Sequence, residues 1–313
     1  MICSQSSNKN NLCIITLGTA QFGLNYGVTN KTGCPNDEEL YNILNFAHKS
    51  GLDFLDTARA YGNAEERLGE IINTEELKDF RIVSKLLPFS EIRDEASDCE
   101  LFSQIDDSVF SSCKHLRRSH IDVIMFHRFS DMISWDGKAV ERLLFHVKKG
   151  TVGEIGVSVY SPDEAIISIK DKRIKNIQIP FNLLDHRWIS QKFLQELKKR
   201  DDVKIFARSI FLQGLLINNE NFWPKWFSGS KNTVNEIDNI TRQLKRKNKL
   251  DLCISYVRAF PWITSLVIGV EKTEQLKEII SLTNEPPLNN QERKFVENAF
   301  HNIPVRLLNP SLW

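Results

Sequence analysis

The sequence predicts an α/β fold, a single-domain (β/α)8 TIM barrel, and three observations support this prediction. Eight short apolar or β-branched runs recur along the chain, segments with helical periodicity separate them, and no Gly-, Pro- or Ser-rich linker divides the 313 residues. Neighbouring parallel strands need crossover connections, which are usually helices. Eight such repeats in a chain of this length fit a closed barrel better than an open sheet.

The strand candidates are short and bounded by turn residues, as buried parallel strands are. In chain order they are Cys13–Leu17, Asp53–Leu55, Arg81–Ser84, Ile121–Phe126, Glu154–Val159, Asn176–Pro180, Val203–Ala207 and Ser265–Gly269. Residues 1–11 are polar and lack the apolar stretch of a secretory signal, so we predict a flexible segment there and a barrel over residues 12–313.

Helical spacing marks the segments between the strands. In Glu38–Ser50, apolar side chains at i, i+3, i+4 and i+7 define one face, with Asn36 or Asp37 as N-cap and Gly51 as stop. The other predicted helices are Ala64–Ile72, Leu101–Leu116, Gly137–Lys149, Pro162–Ile169, Ser190–Arg200, Thr233–Asn248, Leu252–Ala259, Thr273–Ser281 and a closing helix, Asn290–His301.

Composition narrows the function classes. The chain is 41% hydrophobic and 26% charged, with 41 Lys and Arg against 40 Asp and Glu, which is typical of globular proteins. A net charge of +1 gives no overall field for a nucleic-acid backbone or an anionic membrane, so neither partner is expected. Six scattered cysteines without a Cys-x-x-Cys spacing indicate free thiols, no metal site and a cytoplasmic location.

Polar side chains sit at the ends of successive strands. Asp56, Lys85 and His127 each follow an apolar run, Ser158 ends the fifth run, and Gln178 lies within the sixth. Because active sites of (β/α)8 barrels form at the carboxyl ends of the strands, we expect these side chains to meet at one mouth.

Four of the polar residues suit carbonyl chemistry. The Tyr61 phenol, five residues after Asp56, could protonate a carbonyl oxygen if Lys85 lowers its pKa from about 10 and Asp56 keeps Lys85 charged. His127 could hydrogen-bond the carbonyl oxygen and fix its direction.

Here the residues resemble a known family. The segment Asp56-Thr-Ala-Arg-Ala-Tyr61-Gly-Asn-Ala-Glu65-Glu-Arg-Leu68-Gly69 is similar to the signature of the aldo-keto reductases, and further similar segments follow in order over residues 13–282. The resemblance implies a catalytic tetrad of Asp56, Tyr61, Lys85 and His127 and a nicotinamide cofactor in extended form. The residues it assigns to the cofactor are Gly18, Thr19, Ala20, Asp56, Ser158, Gln178, Arg208, Ser209, Gln213, Gly214, Leu215, Gly269 and Gln275.

Near the nicotinamide, the sequence departs from the family pattern at two positions. Arg208 stands where many members carry a Tyr that stacks on the ring, and Val159 replaces a common Asn. A guanidinium can also stack, and it could reach an anionic substrate.

Near the adenosine, Gln275 replaces an Arg of many NADP-binding members, and Ile279 replaces an Asn. Glu271, with Lys272 beside it, puts an acid where a 2′-phosphate would lie. The family precedent favours NADP(H), whereas these residues leave NAD(H) or dual use open.

The resulting hypothesis is an NAD(P)H-dependent reductase of a small-molecule aldehyde or ketone, with a sugar or nucleotide-sugar carbonyl among the candidates. Arg59 and Arg128, near the predicted mouth, are either substrate contacts or solvated side chains, and the aromatic cluster Phe222, Trp223, Trp226 and Phe227 is either a lid or loop packing. The alternatives are a dehydrogenase or redox epimerase, and a cofactor-sensing regulatory subunit. Oligomeric state has no signature in the sequence.

Overall fold

The computed structural model describes residues 14–89 and 97–313, and its eight parallel strands close into a barrel in which β8 pairs with β1. The strands are β1 (Ile14–Gly18), β2 (Phe54–Asp56), β3 (Arg81–Lys85), β4 (Ile121–Phe126), β5 (Val152–Ser158), β6 (Ile174–Pro180), β7 (Lys204–Arg208) and β8 (Ser265–Gly269). The (β/α)8 prediction is confirmed. The segment predicted to be flexible, residues 1–11, lies outside the described residues, as does Cys13.

Helices connect the strands and cover the outside of the barrel. They are α1 (Ala20–Gly23), α2 (Asp37–Lys49), α3 (Ala64–Ile71), α4 (Asp98–Leu116), α5 (Phe129–Ile133), α6 (Lys138–Lys149), α7 (Pro162–Lys170), α8 (Gln191–Leu197), α9 (Ser230–Gln243), α10 (Lys249–Arg258), α11 (Thr273–Thr283), α12 (Asn290–Ala299) and α13 (Val305–Leu308). Short 3-10 helices occur at Trp135–Gly137, His186–Ile189, Leu212–Ile217, Glu220–Phe222 and Pro310–Leu312.

Helix α2 illustrates how the sequence pattern becomes packing. The Asn36 side chain accepts a hydrogen bond from the Glu39 amide at 2.8 Å, which caps the helix as predicted. The four apolar residues of the predicted face are buried: Leu40, Ile43, Leu44 and Ala47. Gly51, at φ +82, follows the helix in the left-handed conformation expected of a C-terminal stop.

The predicted boundaries differ from the observed ones where a glycine or a turn intervenes. Strand β5 begins at Val152, before the predicted Glu154, because Gly153 lets β5 approach the Asp122 carbonyl of β4, where a Cβ would clash at 2.5 Å. The helix predicted to reach Asn248 ends at Gln243. Lys245 adopts φ +51, and the Asn248 side chain caps the next helix instead.

Alternation along the strands decides which side chains enter the barrel. On β3, Val83 packs in the interior cluster, whereas Ile82 packs against the surrounding helices. The same period of two points Lys85 inward, to the Asp56 carboxylate at the end of β2, and points Ser84 outward, to Glu65 on α3. Strand alternation thus sends two ionisable groups to one end of the barrel interior.

Within residues 14–89 and 97–313, no helix is both long and apolar enough to cross a bilayer. Their cysteines, Cys34, Cys99, Cys113 and Cys253, are free thiols, and no group of three His, Cys, Asp or Glu side chains there could hold a metal ion. The cytoplasmic location stays a prediction.

Candidate active site

A buried ion pair lies at the mouth of the barrel. Lys85 Nζ donates to both carboxylate oxygens of Asp56 at 2.8 Å and to the Thr57 carbonyl at 3.0 Å. Gln178 Nε2 donates to Asp56 Oδ1 at 2.7 Å. Burial by itself would lower the pKa of Lys85, but Asp56 and Tyr61 outweigh it and raise that pKa above its ordinary value. Lys85 is therefore a fixed ammonium.

Tyr61 lies beside this pair, in the loop between β2 and α3. The Lys85 ammonium is 4.9 Å from the centre of the Tyr61 ring. Burial raises the pKa of the phenol, while the charge of Lys85 and a hydrogen bond to it lower that pKa, and the net result is above 10. The predicted influence of Lys85 is present, but the prediction that the phenol becomes more acidic overall is not met, because desolvation is the larger effect.

His127 follows β4 directly and faces Tyr61. The two ring centroids are 6.0 Å apart, at an interplanar angle of 87°. Burial, Lys85, Arg208 and Arg128 together lower the pKa of His127 to about 3. The imidazole is therefore neutral at physiological pH, and it can donate a hydrogen bond to a carbonyl oxygen without adding a positive charge.

Backbone hydrogen bonds hold the loop that carries Tyr61. The Arg59 amide donates to the Lys85 carbonyl at 3.1 Å, and the Tyr61 amide donates to the Ala58 carbonyl at 3.0 Å. On the other side, the Thr19 amide and hydroxyl both donate to the Asp56 carbonyl, at 2.9 and 3.0 Å. The carboxyl ends of three strands are thereby tied together around the ion pair.

The Arg59 side chain points away from the mouth. Its Nη1 donates to Glu65 at 2.6 Å and lies 2.7 Å from His115 Nδ1. The buried Glu65 carboxylate also accepts from the Ser84 and Ser112 hydroxyls. Arg59, considered from the sequence as either a substrate contact or a solvated side chain, is part of a polar cluster behind β3.

A cavity of about 470 Å³ runs from Asp56 and Tyr61, past the end of β7, to the start of α11. Most of the residues assigned to the cofactor from the sequence line it. They are Gly18, Thr19, Ala20, Asp56, Gln178, Arg208, Ser209, Gln213, Gly214, Gly269 and Gln275. Two of the assigned residues do not: Ser158, at the end of β5, is buried, and Leu215 is fully buried beneath the loop after β7.

The sequence analysis missed several residues that line this cavity. Tyr26 and Thr29, in the loop after α1, reach across it to the loop after β7: Thr29 Oγ1 donates to the Gln213 carbonyl at 3.4 Å, and Gln213 Nε2 donates to Tyr26 Oη at 3.4 Å. Glu278 on α11 and Leu250 on α10 were also missed. These residues have no motif or periodicity that marks them, and only the closure of the barrel brings the loops together.

The loop after β7 has an unusual backbone. Ser209, Leu212 and Gln213 have φ values of +59, +48 and +52, a region that costs energy for residues with a Cβ. At Gly214, φ is +92 and an added Cβ would lie 2.0 Å from Thr29 Oγ1, so only glycine fits. The Gly214 amide donates to the Phe211 carbonyl at 2.9 Å, so it is not a free donor for the cofactor to which the sequence analysis assigned this residue.

The aromatic cluster predicted as either a lid or loop packing does the latter. Trp223 is buried, stacks on Phe227 and donates from Nε1 to the Leu215 carbonyl at 3.2 Å. The Arg306 guanidinium, from the C-terminal segment, lies 4.6 Å from the centre of the Trp226 ring, which is partly exposed. Within the described residues, no member of the cluster lines the cavity.

Arg208, at the end of β7, is a basic side chain that lines the cavity. Its guanidinium carbon lies 4.5 Å from the centre of the Tyr160 ring, and it donates to Ser209 Oγ and the Val159 carbonyl at 3.3 and 3.4 Å. In the part of the chain that the structure describes, no carboxylate pairs with it. Arg128, the other candidate for an anionic substrate, is exposed and lies outside the cavity lining.

The cavity joins two chemically different ends. One end holds the Asp56–Lys85–Tyr61 group, and the other end meets the N-terminus of an eleven-residue helix, α11. Two glycines of the lining have little room for a side chain. A Cβ at Gly269 would lie 2.2 Å from the Gln21 side chain, and one at Gly214 would meet Thr29.

Comparisons with known proteins agree with this geometry. The model of the aldo/keto reductase family matches residues 14–299. An uncharacterised oxidoreductase of Bacillus subtilis, YqkF, is 24% identical over 276 residues, which cover 82% of this chain and 86% of that protein. An L-glyceraldehyde 3-phosphate reductase of Escherichia coli K12 is 22% identical over 283 residues, covering 80% of each chain.

Solved structures share the fold. The holo form of an aldo-keto reductase of Bacillus halodurans, AKR11C1, aligns with a TM-score of 0.72 over 92% of both chains, at 17% identity. A putative aldo-keto reductase of Pseudomonas aeruginosa, PA4992, aligns with a TM-score of 0.62 over 86% of this chain and 88% of the other, at 18% identity. The barrel with its ion pair at the mouth and the match over most of its length lead to one conclusion: the chain belongs to the aldo/keto reductase family.

Proposed function

We propose that this protein reduces an aldehyde or ketone with NAD(P)H, and that Tyr61 is the general acid. The observation that supports this most strongly is the buried Lys85–Asp56 pair beside the Tyr61 phenol. Burying two charges is costly, and a structural role would be met as well by apolar side chains. An ammonium held against a phenol stabilises the phenolate that forms when that phenol gives up its proton.

The protonation states of Tyr61, Lys85 and His127 indicate the role of each side chain. The raised pKa keeps Tyr61 protonated at neutral pH, so a proton is present where a carbonyl oxygen would lie. Lys85 stabilises the phenolate that remains after the proton has moved, because its positive charge is fixed close by. The neutral His127 orients the carbonyl oxygen through a hydrogen bond. When bound, a nicotinamide supplies the hydride.

Three groups of residues would hold that cofactor. Gly18, Thr19, Ala20 and Gln178 surround the mouth, where the nicotinamide belongs. Ser209 and Gln213, in the loop after β7, line the middle of the cavity. Gly269 and Gln275 line the end at α11, where the adenosine belongs.

The substrate is proposed to be polar or anionic, such as a phosphorylated or carboxylated sugar carbonyl. Arg208 supports this, because its guanidinium lies at the mouth close enough to lower the pKa values of both Tyr61 and His127, and it has no acidic partner among the described residues. Two of the curated relatives are L-glyceraldehyde 3-phosphate reductases, which agrees with an anionic substrate.

A Tyr61→Phe variant tests the proposal. We expect kcat for NAD(P)H oxidation with a panel of aldehydes, ketones and sugars to fall by roughly 10²- to 10⁴-fold, the range for loss of a general acid. Cofactor Kd, measured by quenching of tryptophan fluorescence, should change less than about threefold, since the phenol acts on the substrate.

Tyr41→Phe is the matched control, because Tyr41 is exposed on α2 and, among the residues that the structure describes, its hydroxyl donates only to Glu76. It should keep full activity. Retention of activity in Tyr61→Phe would refute the assignment of the acid. A wild-type protein that binds cofactor but turns over no carbonyl compound would favour the regulatory, cofactor-sensing alternative.

A further inference from the structure

The end of the cavity at α11 carries negative charge, which repels a phosphate. Its charged lining side chains are Glu271, just before the helix, and Glu278, one turn into it. Among the described residues that line the cavity, the one basic side chain is Arg208, at the other end. Lys272 is exposed and is not part of the lining.

Three backbone donors at this helix terminus, the amides of Glu271, Lys272 and Thr273, already have acceptors. Gln275 Oε1 accepts from the Glu271 amide at 2.7 Å and from the Lys272 amide at 3.2 Å. Glu39, from α2, accepts from the Thr273 amide at 2.6 Å and from its hydroxyl at 2.8 Å. A phosphate would have to displace these acceptors, and Glu39 already supplies the negative charge that the helix terminus favours.

The Glu271 carboxylate is held in place toward the cavity. Gln275 Nε2 donates to its Oε2 at 2.9 Å, so one glutamine side chain both caps the helix and orients this acid. Among the described residues, no donor reaches Oε1 of Glu271. A carboxylate oxygen of this kind accepts hydrogen bonds from ribose hydroxyls and repels a phosphate at the same position.

We infer that this protein selects NAD(H) over NADP(H), with Glu271 as the specificity-determining residue and Gln275 as the residue that positions it. The inference rests on the proposed function, since it concerns the adenosine end of the same cofactor cavity. The inferred specificity also departs from the family precedent for NADP(H), because acidic and amide side chains line the end of the cavity at α11.

Binding of NADH and NADPH to the full-length wild-type protein, measured by tryptophan fluorescence and by calorimetry, gives the first test. We expect NADH to bind roughly 10- to 100-fold more tightly, because juxtaposed like charges are strongly penalised at an interface. Equal affinity, or tighter binding of NADPH, would overturn the inference and leave the proposed function intact. Binding of neither dinucleotide would instead refute the proposed function.

A Glu271→Gln variant gives the second test. It removes the charge and keeps the size, so we expect the ratio of NADPH to NADH dissociation constants to fall about tenfold, mainly through tighter NADPH binding. Glu274→Gln is the matched control, because Glu274 is exposed in the first turn of the same helix and does not line the cavity. Its ratio should match the wild type.

Glu278→Gln distinguishes the effect of Glu278 on cofactor specificity from that of Glu271, the other acidic side chain of the lining. The Glu278 carboxylate accepts from Asn248 Nδ2 at 3.0 Å, so it is already partly satisfied, and we expect this variant to change the ratio less than Glu271→Gln does. If Glu271→Gln leaves the ratio unchanged, or if Glu274→Gln changes it equally, Glu271 does not determine the specificity.

Discussion

The two ends of the cavity are built differently. At the mouth, Asp56 and Lys85 are almost completely buried, and three hydrogen bonds, two from Lys85 Nζ and one from Gln178 Nε2, hold the Asp56 carboxylate. At the far end, Glu271 is half-buried and Gln275 is exposed, and the contacts come from side chains on one helix and its preceding loop. The mouth is thus fixed by strands, whereas the end at α11, proposed to recognise the cofactor, can change by surface substitution.

We expect the largest effect on activity from a substitution in the buried Asp56–Lys85 pair. Lys85→Met leaves the Asp56 carboxylate buried without its counterion and removes the charge that stabilises the Tyr61 phenolate. We expect kcat to fall by about 10³-fold. The alkaline limb of the pH–rate profile, where Tyr61 loses its proton, should move to higher pH because Lys85 lowers the Tyr61 pKa.

Lys204→Met is the control for this loss. Lys204 also extends from a barrel strand and pairs with a carboxylate, Glu154, but at the opposite end of the barrel. It should lower stability slightly and leave kcat unchanged. A Lys85→Met enzyme with normal kcat would mean that the buried pair only supports the fold.

A smaller effect is expected for Arg208, which lies at the mouth, at the end of β7. Glyceraldehyde 3-phosphate and glyceraldehyde are a suitable pair of probes, because they differ by one phosphate. For Arg208→Gln we expect kcat/KM to fall about tenfold for the phosphorylated probe and less than about twofold for the neutral one. Arg128→Gln, a change in an exposed arginine outside the cavity lining, serves as control. An equal loss for both probes would mean that Arg208 acts on the cofactor.

The smallest effect concerns His127 and stability. Its pKa is about 3 in the folded protein and about 6.5 in the unfolded chain, so between these values only the unfolded chain binds the proton. Stability should therefore fall as pH decreases through this range. Urea unfolding at pH 7 and at pH 5 measures how much free energy of unfolding is lost between them. This loss should be about 1 kcal/mol smaller for His127→Asn than for the wild type, after allowance for partial exposure. The exposed His120→Asn should behave like the wild type, and an unchanged loss in His127→Asn would contradict the lowered pKa.

The sequence predicted the mouth well because a local rule governs it. Asp56, Lys85 and His127 each end or follow an apolar strand, and parallel strands deliver their carboxyl ends to one rim. It did not predict the partners of Arg59, since Glu65, Ser84 and Ser112 meet behind β3 only after helices α3 and α4 pack. It also missed Tyr26 and Thr29, which lie far from Gln213 in the chain.

Periodicity and strand-end chemistry alone thus determined the barrel, its order of elements and the residues at its mouth, because these depend on spacing within short segments. The tertiary structure decided the net acidity of Tyr61, the neutral state of His127 and the acceptors that cap α11. Each of these depends on how much water is removed and on which distant groups come within a few ångströms, and neither quantity is encoded in any single segment.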